Sequence, residues 1–149
     1  MSRIRSRDTG PERALRTALK RSGIRYRSYM VIGGVRVDLA LPDARVVVLV
    51  HGCFWHGCPR HYTAPSNNAE FWRMKLDSNR RRDRRQLRSI RAAGWRVEVV
   101  WEHSVARRPV SHLESLVERL TRPGPRRRRR PQRVPRQMPD QRHRYHVPL

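Results

Sequence analysis

Residues 46–61 read Val-Val-Val-Leu-Val-His-Gly-Cys-Phe-Trp-His-Gly-Cys-Pro-Arg-His, and the rest of the architecture can be inferred outward from them. The first five residues are apolar and mostly β-branched, which predicts a central strand covered on both faces of a sheet. The next eleven residues hold three histidines, both cysteines of the chain and two adjacent aromatic residues. The strand therefore brings metal-binding and proton-transfer groups to one edge of the sheet, where we expect the functional site.

Caps and periodicity predict the elements around this strand. Thr9-x-x-Glu12 resembles a capping box, Gly33-Gly34 is typical of a hairpin, and Asn67-x-x-Glu70 predicts the start of a long helix. In chain order we predict a helix at about 10–22, strands at 29–32, 35–41 and 46–50, a helix from Asn67 to about Ala93, a strand at 95–101 and a helix opened by Ser111. This order predicts an α/β domain over residues 1–121, with a mixed central sheet flanked by helices.

One predicted strand places a carboxylate beside the central strand. In 35–41 the alternation puts Val35, Val37, Leu39 and Leu41 on one face and Asp38 on the other. Asp38 and His51 could then flank one spot.

The charge of the chain points to a polyanionic partner. Lys and Arg number 35 against 12 Asp and Glu, for a net charge of +23, and such an imbalance favours nucleic acid. No apolar window is long enough to span a membrane, and the first residues lack the apolar core of a signal peptide. We therefore expect a cytoplasmic protein whose two cysteines are thiols or metal ligands rather than a disulfide.

Residues 122–149 differ in composition from the rest of the chain. They contain ten arginines, six prolines and one acidic residue, and such a segment cannot bury enough apolar surface to offset its ordering entropy. We predict a disordered basic tail. It either raises non-specific affinity for DNA or is an unselected extension.

The cysteines and two histidines form a candidate zinc set. Cys53, Cys58 and His61 could converge from one loop, and structural zinc takes four such ligands. His103 could be the fourth if the strand at 95–101 runs parallel to the central strand. On spacing alone, a zinc site and a loop with two free cysteines are equally open.

A second set of residues suits phosphodiester hydrolysis. One carboxylate, Asp38, together with backbone oxygens can hold Mg²⁺ on a phosphate, and His51 or His56 could take a proton from water. Glu12 and Asp83 could supply further carboxylates, or could be an ordinary first-turn acid and an exposed helix acid.

Aromatic residues form a third group. Phe54 and Trp55 lie in a loop, and Trp72 lies at the start of the long helix. Flat side chains beside a basic surface can stack on bases or wedge between them, or they can form a small loop core.

Six motifs taken together resemble the very short patch repair (Vsr) DNA mismatch endonucleases over about residues 1–107. The motifs are Arg7-Asp8-Thr9-x-x-Glu12, Asp38, His51-Gly52-Cys53-Phe54-Trp55-His56, Glu70-Phe71-Trp72, Lys75-x3-Asn79-x3-Asp83-Arg84-Arg85, and Gly94-Trp95-Arg96-Val97 to Trp101-Glu102. The resemblance implies a restriction-endonuclease-like fold. It also implies a monomer that nicks one strand of duplex DNA beside a T·G mismatch left by deamination of 5-methylcytosine, with mismatch-repair proteins as further partners.

The resemblance also implies roles at the active site. Asp38 resembles the family's magnesium-binding aspartate, His56 its water-activating histidine and Asp83 the partner that orients this histidine. His51 and Glu12 match further active-site positions. Val50 stands where the best-known members have threonine: a backbone carbonyl ligand would serve equally there, whereas a hydroxyl ligand would be lost.

The remaining implied roles concern zinc and DNA. Cys53, Cys58, His61 and His103 fall at the family's structural zinc ligands. Phe54, Trp55 and Trp72 match its aromatic wedge, and Lys75 and Asn79 match residues that read the mispaired bases. Two other hypotheses remain open at this point. One is a related nuclease without mismatch preference, acting in restriction or defence, and the other is a non-enzymatic zinc protein that binds nucleic acid.

Overall fold

A computed structural model describes residues 7–123, so the predicted tail lies outside the described residues from 124 onward. The described elements are α1 (Gly10–Arg21), β1 (Arg27–Ser28), β2 (Val31–Ile32), β3 (Val35–Arg36), β4 (Leu39–Leu41), β5 (Val46–His51), α2 (Ala69–Ala92), β6 (Arg96–Trp101), a short 3₁₀ helix (Glu102–Ser104) and α3 (Val110–Thr121). Among the helices in 7–123, each is too short or too polar to cross a membrane.

Four strands form one mixed sheet in the order β1-β4-β5-β6. β4 pairs antiparallel with β1 and β5, whereas β6 pairs parallel with β5. The predicted α/β class with a mixed sheet and flanking helices is confirmed.

Strand β5 is covered on both faces, as its apolar sequence predicts. Val46 and Val48 pack with residues of α1 and α3, whereas Val47 and Leu49 pack with Ile90 of α2. The sheet is therefore enclosed between α1 and α3 on one side and α2 on the other.

The predicted strand at 35–41 is wrong in one respect, because it is broken at Val37 and Asp38. β2 and β3 form a separate two-stranded hairpin around Gly33-Gly34, and β4 begins at Leu39. Val35 and Val37 consequently join the α2 side of the core, whereas Leu39 and Leu41 join the opposite side. Alternation fails here because a break in regular pairing shifts the two-residue period.

The predicted N-caps of α1 and α2 can be compared with the structure. The Glu12 N–H donates to Thr9 Oγ1, so Thr9 is confirmed as the N-cap of α1. The return bond of a capping box is displaced by one residue, because the Glu12 carboxylate accepts from the Asp8 N–H instead of the Thr9 N–H. The predicted start of α2 is one residue early: Asn68 is the N-cap, in a left-handed conformation with φ 57°, and it makes no side-chain capping bond. The left-handed backbone of Asn68 therefore determines where α2 begins, and the spacing Asn67-x-x-Glu70 does not reveal this.

Candidate active site and metal centre

The parallel pairing of β5 and β6 creates the candidate site. His51 is opposite Trp101 in the last pair of the ladder, so residues 52–61 and residues 102–104 leave the sheet at the same edge. Hence a residue after β6 can reach the loop after β5.

Four potential zinc ligands meet at this edge. The ligand atoms of Cys53, Cys58, His61 and His103 all lie within 4.8 Å of one another. Cys53 Sγ is 3.1 Å from His103 Nδ1, and Cys58 Sγ is 3.7 Å from His61 Nδ1. The set combines thiolate and imidazole donors in the number that structural zinc takes.

The electrostatics of this cluster differ between its members. Burial opposes ionisation of Cys58, but bonds from the Arg60 backbone and from His61 outweigh it and lower the pKa of this thiol to about 7. Burial raises the pKa of Cys53, and burial lowers the pKa of His103. A neutral His103 and an ionised Cys58 are the forms in which these residues bind metal.

A glycine lets the loop after β5 lie directly on α2. Gly57 has φ +64°, and a Cβ there would lie 2.7 Å from Leu76 Cδ1 and 2.8 Å from a guanidinium nitrogen of Arg80. The same guanidinium donates to the Gly57 carbonyl at 3.3 Å. This close approach brings the histidines of the loop to the polar residues in the middle of α2.

The second cluster combines His51, His56 and Asp83. His56 Nδ1 lies 2.7 Å from Asp83 Oδ2, and the rings of His51 and His56 stack with centroids 3.9 Å apart. Because an ionised carboxylate can only accept, Nδ1 of His56 carries the proton in this contact and Nε2 is left as a base. Asp83 is 8% exposed, and its Oδ1 accepts no hydrogen bond from residues 7–123.

His51 is held in its neutral form. Burial, reinforced by the charge of His56, lowers its pKa to about 4. A neutral imidazole stacked on His56 can exchange hydrogen bonds with a ligand without adding a positive charge of its own.

A hydrogen bond holds the Asp38 side chain against the end of β5. The antiparallel β4–β5 ladder ends at the pair Leu39–Val48, and beyond it the Val50 N–H donates to Asp38 Oδ2 at 2.7 Å. Burial raises the pKa of Asp38 to about 6; the Val50 bond opposes this shift and the charge of Glu12 adds to it. Within 7–123, no Lys, Arg or His forms a salt bridge with this carboxylate.

Glu12 is buried and saturated with hydrogen bonds. Its carboxylate accepts from the Tyr29 hydroxyl at 2.9 Å, from the Asp8 N–H at 3.0 Å and from Thr9 Oγ1 at 3.0 Å. Tyr29 was not predicted as a site residue. No local motif marks it, because the contact joins residues 17 positions apart.

The three predicted aromatic residues come together beside the loop. Phe54 lies 5.1 Å from Trp55 and 5.2 Å from Trp72 between ring centroids, both edge to face, and all three are half-buried. Tyr62, missed by the sequence reasoning, joins this group at 6.0 Å from Phe54. The group is therefore a cluster that still presents ring surface to solvent.

Lys75 and Asn79 lie next to these rings but in different environments. Both line a small cavity with the aromatic cluster. Lys75 is exposed, whereas Asn79 is buried and its amide donates to the Trp55 carbonyl at 2.8 Å. Asn79 thus positions the aromatic loop.

Comparison with known proteins identifies nucleases. The family model for DNA mismatch endonuclease Vsr matches residues 1–61. The chain is 40% identical over 104 residues to the type II nicking enzyme V.XorIIP of Xanthomonas oryzae pv. oryzae, covering 68% of this chain and 76% of that protein. It is 44% identical over 108 residues to the type II nicking enzyme V.NaeI of Lentzea aerocolonigenes, covering 69% and 65%. It is 36% identical over 121 residues to the DNA mismatch endonuclease Vsr of Escherichia coli K12, covering 80% and 78%.

The zinc-ligand cluster, the cluster of His51, His56 and Asp83, and these relatives define a DNA endonuclease, an enzyme that hydrolyses phosphodiester bonds. The chain belongs to the Vsr family of endonucleases. The non-enzymatic hypothesis is therefore wrong.

Proposed function

We propose that this endonuclease nicks one strand of duplex DNA beside a T·G mismatch left by deamination of 5-methylcytosine. The observation that carries the hydrolytic chemistry is the 2.7 Å contact between His56 and Asp83, close enough to Asp38 for the charge of His56 to act on its carboxylate. This arrangement brings a base near a carboxylate that could hold a cation, which suits hydrolysis of a phosphodiester. The mismatch target is supported by the similarity to the Escherichia coli mismatch endonuclease.

Each residue of the site has a separate role in the proposed reaction. His56 Nε2 takes the proton of the water whose oxygen attacks phosphorus; the bond to the leaving oxygen breaks, and this oxygen takes a proton from solvent to leave as a hydroxyl group. Asp83 holds the His56 ring and stabilises the imidazolium that forms, since its buried carboxylate has no cationic partner other than His56 in residues 7–123. Neutral His51 and the fixed carboxylate of Glu12 complete the polar wall of the site.

Asp38 and the Val50 carbonyl fit a magnesium site. Asp38 is a half-buried carboxylate without a salt bridge in the described residues, and burial raises its pKa, so a bound cation would stabilise its charge. When bound, Mg²⁺ supplies positive charge to the oxygens of the scissile phosphate.

The zinc set fits a structural role. Cys53, Cys58, His61 and His103 would hold one Zn²⁺, joining the loop after β5 to the segment after β6. The endonuclease domain would comprise residues 1–121 in a restriction-endonuclease-like fold, followed by the basic extension at 122–149.

The aromatic cluster accounts for access to the mismatch. Phe54, Trp55 and Trp72 would wedge into the base stack, where a mispair lowers the unstacking cost. Lys75 would contact the mispaired bases directly, with Asn79 beside it. The enzyme would act as a monomer, with mismatch-repair proteins as further partners.

A second candidate is a nicking enzyme without mismatch preference. It is favoured by the names of V.XorIIP and V.NaeI, which describe nicking and no mismatch. It shares the chemistry of the first candidate and differs in the DNA that is cut.

A strand-labelled nicking assay tests both candidates. Matched and T·G duplexes in several sequence contexts are incubated with Mg²⁺ and either the wild type, His56→Ala or the control His112→Ala, which changes an exposed histidine on α3. We expect the wild type and the control to nick the T·G strand, and His56→Ala to lose about 10²–10⁴-fold in rate while still binding the duplex. Equal nicking of matched DNA would select the second candidate, and full activity of His56→Ala would exclude the proposed base.

A further inference from the structure

Helix α2 has a strongly basic face that the active site does not use. Arg81, Arg84, Arg85 and Arg88 are all exposed, and we call them the outer α2 face. None of the four forms an ion pair or a side-chain hydrogen bond with another residue of 7–123. From residue 78 to residue 97 the only acid is Asp83, which faces His56.

The outer α2 face points away from the active site. Residues on an α-helix are separated by about 100° around the axis, so the four arginines lie about 100–180° from Asn79 and Asp83, with Arg84 the nearest to Asp83. Those two residues contact the loop after β5, and Ile90 packs on the sheet. A duplex that reaches His56 therefore meets the inner flank of α2 rather than these four arginines.

Within the described structure, no ion pair offsets the repulsion within this face: the nearest exposed acid on the same side of α2, Asp77, lies four residues before Arg81 and forms no salt bridge. Each of the four arginines has two others of the set three or four residues away, all within about 10.5 Å of helix axis, and like charges at such spacings destabilise a helix. A bound polyanion would remove this repulsion.

The four guanidinium groups of the outer α2 face favour a ligand that carries several phosphates. Guanidinium groups pair with phosphate oxygens through two parallel hydrogen bonds. α2 carries no aromatic residue after Trp72, so this part of the helix lacks the aromatic anchors common in protein interfaces. Duplex DNA presents phosphates at a density that can engage several of these side chains at once.

We propose that the outer α2 face binds the phosphate backbone of a second DNA segment while the active-site side holds the first. The enzyme can then pass from one duplex to another without a free intermediate. The inference requires an enzyme that acts on DNA and does not require mismatch preference.

Competitor-dependent dissociation tests this inference. The full-length protein is bound to a fluorescent matched duplex without Mg²⁺, and its release is followed as the concentration of unlabelled duplex is raised. We expect release from the wild type to accelerate with competitor concentration, and the R81Q/R84Q/R85Q/R88Q variant to lose this acceleration. Because the assay uses matched DNA and no cleavage, it is independent of whether T·G duplexes are nicked.

Two control variants separate the face from net charge. K20Q/R21Q/R27Q/R119Q removes four exposed charges from the other elements and should retain the acceleration. R81K/R84K/R85K/R88K keeps the charge but loses the paired guanidinium hydrogen bonds, so it should retain part of the acceleration. The inference is overturned if release of the outer-face glutamine variant still accelerates with competitor concentration, or if the first control loses the acceleration equally. Single-turnover nicking of a prebound duplex should be unchanged in the outer-face variant, and its loss would assign these arginines to the first duplex instead.

Discussion

Replacing Asp38 by asparagine should stabilise the metal-free protein while destroying its activity. Burial raises the pKa of Asp38 from 3.8 to about 6, so the ionised carboxylate disfavours the folded state. A shift of about 2 units corresponds to about 3 kcal/mol, at about 1.4 kcal/mol per unit. Asparagine is uncharged and can still accept the Val50 N–H through its oxygen, so we expect a gain of about 1–3 kcal/mol at neutral pH.

The pH dependence fixes the sign of this effect. Below the unfolded pKa, Asp38 is protonated in both states and imposes no penalty; the penalty grows as pH rises and is complete above about 6. The wild type and Asp38→Asn should therefore have similar unfolding free energies near pH 4 and differ most near pH 7.5, at the ends of this titration. Mg²⁺ should raise the urea midpoint of the wild type only, because the variant lacks the carboxylate that would bind it.

Urea denaturation in the presence and absence of Mg²⁺ measures these differences. Asp43→Asn is the matched control, since Asp43 is exposed and its bond with Arg25 lowers its pKa; this change should not stabilise the protein. A variant at Asp38 that is no more stable than the wild type near pH 7.5, or a gain that is independent of pH, would refute the electrostatic reasoning.

Two further predictions concern zinc and the hairpin. Metal analysis of freshly purified protein should find about one zinc per chain, and Cys58→Ser should lose it and unfold at lower urea; wild-type protein without zinc would contradict the four-ligand site. Gly33→Ala should lower the free energy of unfolding by about 1–3 kcal/mol, because its Cβ would lie 2.6 Å from the Ser89 carbonyl oxygen. Gly34→Ala, which has a similar backbone but open space, should lose less, and equal losses would attribute the effect to φ alone.

Local chemistry in the sequence predicts the centre of this fold well. The apolar run at 46–50 predicts a strand buried on both faces, and the structure confirms it. Parallel pairing with the strand before His103 was the condition for a four-ligand cluster, and β6 meets that condition. The first inference depends on the burial of an apolar strand. The second depends on parallel strands ending at the same edge of the sheet.

Other features depend on contacts that no local pattern encodes. The break at Val37 and Asp38 follows from the pairing of two separate short ladders, so alternation alone assigned four side chains to one face. The bond from Tyr29 to Glu12 spans 17 residues, and the bond from Asn79 to the Trp55 carbonyl spans 24. Composition and spacing cannot reveal such pairs, because each arises only when distant segments have already packed.

The helix that connects the two parallel strands also limits which insertions and deletions the gene can tolerate. Helix α2 links β5 to β6, and along its length it carries Trp72, Asn79 and Asp83, each matched to a different part of the loop after β5. Inserting one residue between Asn79 and Asp83 would rotate all later residues by about 100° and advance them by about 1.5 Å, so Asp83 would leave His56. Codon insertions and deletions in this helix should therefore be eliminated by selection, and divergence there should proceed by substitution at constant length.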